Sequence, residues 1–220
     1  MGRSLGPHRS PRRSTDARAS TRSARPVPLT AIVVGALMLA IAVAGAMRPA
    51  LPAAETTVFH AINGLPGWLY WPFWVPMQLG NLVVGAAAGL IAAWLLGSWP
   101  TALAVLLAVA GKRVAERLLR QRLAPWHAVR QRPGTSEPGA ILRGDVPSEG
   151  PSFPSGHVVL VAAVVCVVSD EAVGPYALLP WLAVVLVAVG RIYVGAHNPL
   201  DVLAGLGAGL VLGGAIALLT

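Results

Sequence analysis

The sequence predicts an all-α, polytopic membrane protein with six transmembrane helices in a bundle, on three observations. Hydrophobic residues make up 55% of the 220-residue chain and charged residues only 12%, too little charge to coat a soluble domain of this size. Most of the chain falls into apolar blocks near the ~20 residues that a bilayer-spanning helix requires. The charges are also segregated: of the 17 Lys and Arg, seven precede Pro26 and eight lie between Lys112 and Arg143.

Residues 1–26 form a basic tail rich in Arg, Ser, Thr and Pro, which buries too little apolar surface to offset its ordering entropy and is expected to be disordered. The six-helix domain is expected over 27–220, with the motif-bearing part at about 100–205. The run Val27 to Met47 is of spanning length, longer than a signal-peptide core, and reads as a signal anchor. Ala53 to Asn63 has mixed polarity and suits the interface. The cluster Trp68, Tyr70, Trp71, Phe73 and Trp74 belongs at headgroup level. A second helix is expected from Phe73 to Leu96, with Gly97 to Pro100 as a tight connection. The third starts near Thr101 and becomes basic at Lys112. Residues Gln121 to Ser152 form a long polar loop, a length usually associated with function or disorder.

The fourth helix is expected from Pro154-Ser155-Gly156-His157 to Ser169, followed by a turn from Asp170 to Gly174. The fifth runs from about Tyr176 to Val194 and the sixth from Pro199 to Leu219. On the last, Gly205, Gly209 and Gly213 form a small-residue face, read as packing inside the chain rather than as a dimer contact. Oligomeric state is not readable from the sequence. The single cysteine, Cys166, has no partner for a disulfide.

The net charge of +8 does not point to nucleic acid. The basic residues flank membrane segments, where anionic lipid headgroups or a phosphate substrate account for them. The tail and the Gln121–Ser152 loop fall on opposite sides of the membrane and are both basic, so charge counting does not orient the chain. Dominance of the first helix places the N-terminus in the cytoplasm and the polar clusters on the outer face of the cell membrane.

Two clusters carry chemistry. Ser155 is an N-cap type at the start of an apolar run, and a helix N-terminus with Gly156 offers an anion site with close backbone access. His157 on the first turn can donate a proton to a leaving oxygen. Taken alone, the cluster fits an ordinary capped helix equally well. The second cluster is Arg191, His197 and Asp201. Arg191 is costly near a membrane-helix end unless paired or hydrated. Asn198-Pro199 reads as N-cap and first helical residue, and Asp201 can reach back to His197, leaving the other ring nitrogen free as a nucleophile. Arg113 and Arg120 end the third helix near Lys112 and Arg117 and suit phosphate oxygens. Glu116 is expected to pair with Arg120, and His60 and His127 are read as interfacial. No carboxylate cluster suggests a divalent metal.

Together these residues resemble the type 2 phosphatidic acid phosphatase superfamily, whose pattern is Lys-x6-Arg-Pro, Pro-Ser-Gly-His and Ser-Arg-x5-His-x3-Asp. Pro154 to His157 match the second part completely. Arg191, His197 and Asp201 match the third, with Gly190 in place of serine. The first is altered: Arg113-x6-Arg120 keeps the spacing, with Arg for Lys and Gln121 for Pro, and Lys112 stands one position out of register. The resemblance spans roughly Trp68 to Leu219.

It implies a six-helix membrane phosphatase acting without metal or other cofactor on a lipid phosphate or pyrophosphate. His197 would form a phosphohistidine, Asp201 would orient it, and His157 would protonate the leaving group. Arg113, Arg120, Ser155, Gly156 and Arg191 would hold the phosphoryl oxygens. Phosphatidic acid, phosphatidylglycerol phosphate and polyprenyl (pyro)phosphates all fit, and the Ala-, Val-, Gly- and Arg-rich composition leans toward a GC-rich bacterial genome and an envelope polyprenyl substrate. A non-catalytic lipid-phosphate binder or transporter on the same scaffold is the alternative. A vanadate-dependent haloperoxidase shares such a pocket, but in soluble relatives.

Overall fold

The computed structural model describes residues 26–48, 50–123, 130–171 and 178–220. The tail up to Arg25, His127 and most of the Asp170–Gly174 turn lie outside the described residues. The described chain is helical: α1 (Pro26–Ala46), α2 (Ala53–Asn63), α3 (Tyr70–Met77), α4 (Leu82–Leu95), α5 (Trp99–Leu123), α6 (Pro133–Ser136), α7 (Gly156–Glu171), α8 (Leu179–Tyr193) and α9 (Pro199–Leu219).

Helix α7 is the axis of the bundle. Every residue from Val158 to Val168 is buried, the signature of a helix covered on all sides. It packs against α4, α5, α8 and α9. Lipid tails are as apolar as these side chains, so close packing rather than water exclusion must hold the helices together. The glycines of α9 provide it. A Cβ at Gly205 would lie 2.6 Å from the Ser155 carbonyl, one at Gly209 2.7 Å from the Val159 carbonyl, and one at Gly213 2.6 Å from Cys166 Cβ. The small-residue face therefore packs inside the chain, as the sequence suggests. The other side of α9 carries α1, where Gly35 and Gly207 meet backbone to backbone. Outward, α1 exposes Leu29, Val33, Leu37 and Ile41, an i, i+4 stripe suited to lipid.

The six expected crossings are not matched by six long apolar helices. Among the described residues two helices, Pro28–Ala46 and Pro199–Leu219, are long and apolar enough to cross a membrane. The count becomes three if Gly67–Gly80 and Leu82–Leu95 form one broken span. Helix α5 has 25 residues but turns basic at Lys112, while α7 and α8 have only 16 and 15.

The expected continuous helix Phe73 to Leu96 is in fact α3 and α4, bent by 77°. The break has a local cause: a 3-10 turn from Gln78 to Gly80, then Asn81 as N-cap of α4, its side chain accepting from the Val83 N–H at 3.0 Å. Helix α2 is more than an interfacial segment. Its Glu55, Phe59 and Asn63 are buried on one i, i+4 face. Asn63 donates to the Ile141 and Tyr193 carbonyls, both at 2.9 Å. It also accepts from the Ile141 N–H at 2.8 Å, which fastens the polar loop to the end of α8.

Candidate active site

Ser155 directly precedes α7. It is fully buried, and its N–H donates to the Asp201 carbonyl at 2.9 Å, stitching the start of α7 to the start of α9. Its hydroxyl is buried without a hydrogen-bond partner, a polar atom that a bound anion could satisfy. Gly156 has no room for a side chain: a Cβ there would collide with the Glu116 carboxylate and lie 3.2 Å from Lys112 Nζ. The expected Glu116–Arg120 pair does not form; Glu116 pairs instead with Lys112 at 3.3 Å. Either partner is a favourable neighbour on a helix face, and packing against Gly156 selects Lys112. His157 follows on the first turn, seated on the bend of α3–α4, where a Cβ on Gly80 would lie 2.5 Å from His157 Cβ.

The opposite wall is the end of α8. Gly195, at φ +75°, takes the left-handed conformation that ends a helix. The turn folds back so that the Ala196 and His197 N–H groups both donate to the Arg191 carbonyl, at 3.0 and 3.3 Å. His197 is 4% exposed, and its Nδ1 has no hydrogen-bond partner. Burial, then the charges of Arg191 and Arg132, hold its pKa well below the ordinary value of 6.5. The Ser152 backbone acts on the ring as an acceptor and opposes that shift. The balance keeps the imidazole neutral, the state a nucleophilic nitrogen requires.

Asp201 does not make the expected hydrogen bond to His197. It is fully buried at N3 of α9, and its Oδ2 accepts from the Asn198 N–H at 2.8 Å. A carboxylate at N3 is drawn back toward the N-cap donor, and here that direction also brings it to Arg130. Arg130 Nε lies 3.2 Å from Asp201 Oδ1, and the same guanidinium pairs with Glu55 of α2. Glu55 in turn accepts from the Leu200 N–H at 2.9 Å. The start of α9, and the loop bearing His197 before it, are therefore held by a buried Glu55–Arg130–Asp201 triad.

The cations differ from the sequence reading. Arg191, Lys112 and Arg132 all act electrostatically on His157, and Arg191 and Arg132 also act on His197. Arg191 Nε is buried and without a hydrogen-bond partner. Arg132 is positioned by a 3.1 Å hydrogen bond to the Ala196 carbonyl and precedes Pro133, the first residue of α6. Arg113 is exposed, because one residue turns a helix by about 100° away from Lys112. Arg120 is exposed too, yet its charge reaches Arg132 and, after burial, pushes that guanidinium below its ordinary value.

Lys112, Arg132, Ser152, Glu55 and Arg130 were not among the candidates read from the sequence. The signal for Arg132 was present: Arg132-Pro133 is an Arg-Pro pair, hidden by a spacing from Lys112 much longer than seven. His60, read as interfacial, lies 3.4 Å from Glu137 and is partly exposed.

Beside His157 and Arg191 opens a cavity of about 250 Å³, walled by Tyr70, Trp74, Met77 and Gln78 of the broken helix and by the loop Arg143 to Val146. Trp68 and Trp71 are exposed nearby in the chain, with Trp74 39% exposed. Two imidazoles, three cations, an orphaned hydroxyl and a helix N-terminus thus gather at one end of the bundle, where His157 and Arg191 open onto the partly aromatic cavity.

The sequence model of the PAP2 superfamily matches residues 98–220, which include α5 and every residue of both motif clusters. Among solved structures, LpxE from Aquifex aeolicus is similar at 25% identity and a TM-score of 0.63, covering 77% of this chain and 97% of its own. The first transmembrane PAP2 type phosphatidylglycerolphosphate phosphatase from Bacillus subtilis shares the fold at 23% identity and a TM-score of 0.61, covering 86% of this chain and 93% of its own. No curated protein sequence matches.

Proposed function

The chain belongs to the PAP2 superfamily, and from that membership we propose that it is a membrane lipid phosphatase acting through a phosphohistidine. The observation that carries the reading is the convergence of His157 and His197 on shared cations, with Arg191 and Arg132 acting on both rings. A phosphoryl group between the rings would be held by Arg191, Arg132 and Lys112, the Ser155 hydroxyl and the backbone at Gly156. Such preorganised charge stabilises the developing negative charge of the transition state.

In the first step a neutral His197 nitrogen forms a bond to phosphorus and the bond to the lipid oxygen breaks, that oxygen taking a proton from His157. In the second step His157 takes a proton from water, the water oxygen bonds to phosphorus, and the His197–phosphorus bond breaks to release phosphate. Asp201 and Arg130 act through the placement of the His197 loop. The charge stabilisation comes from the chain's own guanidinium and ammonium groups, so the reaction is proposed to need no metal.

The similar structures are LpxE and a phosphatidylglycerolphosphate phosphatase, which supports a lipid phosphate as substrate here. We also propose that the chain crosses the membrane six times, by α1, α3–α4, α5, α7, α8 and α9, with the N-terminus in the cytoplasm and the site on the outer face. Cysteine labelling from either side of sealed vesicles tests that topology.

The test of function is phosphate release by detergent-purified protein in EDTA, beside His197→Ala. Chelator-resistant release that disappears in the variant supports the mechanism. Release that persists in His197→Ala refutes the nucleophile, and release only with added metal refutes metal independence. Binding of lipid phosphate without release by a folded protein moves the assignment to a binder or transporter.

A further inference from the structure

Glu116 is an anion beside a site proposed to bind an anion. It stands on α5 one turn beyond Lys112. Earlier on the same stripe, Ala104 and Ala108 are buried in a cluster with Leu160 and Val164 of α7. Lys112 and Glu116 continue that stripe at i, i+4 spacing, and their side chains are only 16% and 18% exposed. A carboxylate there loses hydration and repels a phosphoryl group. The contact it makes shows what offsets that cost.

Helix stability does not account for the pairing. A carboxylate four residues before a cation is the better order on a helix, and Arg120 offers it, yet Glu116 turns back to Lys112 at 3.3 Å. Residue 156 leaves the space because it is glycine. A Cβ there would collide with Glu116 Oε1 and lie 2.9 Å from its Cδ and 3.2 Å from Lys112 Nζ. The ion pair therefore lies against the first turn of α7, and from there Lys112 acts on His157. Lysine is a point charge on a flexible stem, without the pre-organised fork of arginine, so it needs a partner to hold it in one place. Arg132 has its own such partner, the Ala196 carbonyl at 3.1 Å.

We propose that Glu116 is a positioning residue of the phosphoryl transfer. It holds Lys112 Nζ at the start of α7, where the ammonium meets the phosphoryl oxygens, and Gly156 leaves the room for it to do so. The inference rests on the phosphatase reading. An ammonium already in place stabilises the transition state without reorganising during the reaction, and that gain outweighs the repulsion from a carboxylate paired with the same ammonium.

The test is a double-mutant cycle on phosphate release by the detergent-purified full-length protein. The substrate is whichever of phosphatidic acid, phosphatidylglycerol phosphate and polyprenyl pyrophosphate the wild type hydrolyses fastest. Glu116→Ala should lower kcat/KM by about tenfold, the effect of one charged hydrogen bond, with kcat falling more than KM rises. Glu116→Gln should lower it less, because the amide oxygen still accepts from Lys112. In a Lys112→Met background, Glu116→Ala should cost less than about twofold, since the interaction it removes is already gone. A gain in kcat/KM in either single variant overturns the proposal, because the carboxylate would then act mainly by repelling phosphate. Equal losses in both backgrounds also overturn it, because Glu116 would then act through packing at Gly156. Release from none of the three lipids by folded wild type refutes the phosphatase reading itself, a result distinct from either of these.

Discussion

Replacing Arg130 with methionine would separate what the buried triad does for stability from what the catalytic groups do for chemistry. Glu55, Arg130 and Asp201 are 6%, 8% and 0% exposed, and Arg130 is paired with both carboxylates. Methionine fills much of the same volume but leaves two carboxylates buried with no counter-charge between them. Removing one partner of a buried pair costs about 3–5 kcal/mol. For a chain of this length each kcal/mol moves the unfolding midpoint by roughly 2–4 °C, so a fall of about 6–20 °C is expected. Adding Glu55→Gln should recover part of the loss, because the amide oxygen can still accept from Leu200 while one of the two charges is gone. The assay is thermal unfolding in detergent, followed by intrinsic tryptophan fluorescence, on wild type, single and double variants. An Arg130→Met midpoint within about 2 °C of wild type, less than the shift for a single kcal/mol, would refute the account. So would a double variant less stable than the single one, since that would mean Glu55 is not the source of strain.

Gly80→Ala should fold yet lose activity, because its Cβ would lie 2.5 Å from His157 Cβ and must displace the proposed acid; a shift near 1 Å costs about 10²-fold, read as phosphate release against an unfolding control. Lys112→Ala should lose at least about tenfold more kcat/KM than Arg113→Ala, since only Lys112 acts on His157, and losing a charged hydrogen-bond donor costs 1.4 kcal/mol or more. Stability should fall in acid through His197. Its folded pKa lies well below 6.5, so below that pH the unfolded chain binds the proton that the folded chain resists. The stabilisation is full above 6.5 and declines as pH drops toward the folded value; unfolding midpoints from pH 8 to 5 should show a flatter profile in His197→Asn.

Much of the site was legible because its signals are local. Ser155-Gly156-His157 before an apolar run, and Asn198-Pro199 with Asp201 at N3, announce helix starts whatever surrounds them. Arg191 to His197 folds back through Gly195, whose positive φ is a property of one residue. These short-range rules placed both histidines at helix ends. What they did not place was the partner of Asp201. Its spacing from His197 permits an imidazole contact, but the carboxylate goes to the Asn198 N–H and to Arg130, and Arg130 is far away in the sequence.

The same division holds across the fold. Sequence alone determined the helical class, the membrane character and the small-residue face of α9, because composition and periodicity act residue by residue and turn by turn. Only the tertiary structure decided the packing partner of the α9 glycines, the choice of Lys112 over Arg113 and the entry of Arg132 and Glu55 into the site. Neighbouring positions on a helix point about 100° apart, so a single step in register is settled by whatever packs opposite. For Lys112 that is the backbone at Gly156. Gly156 lies on α7, the buried helix against which the rest of the bundle is arranged.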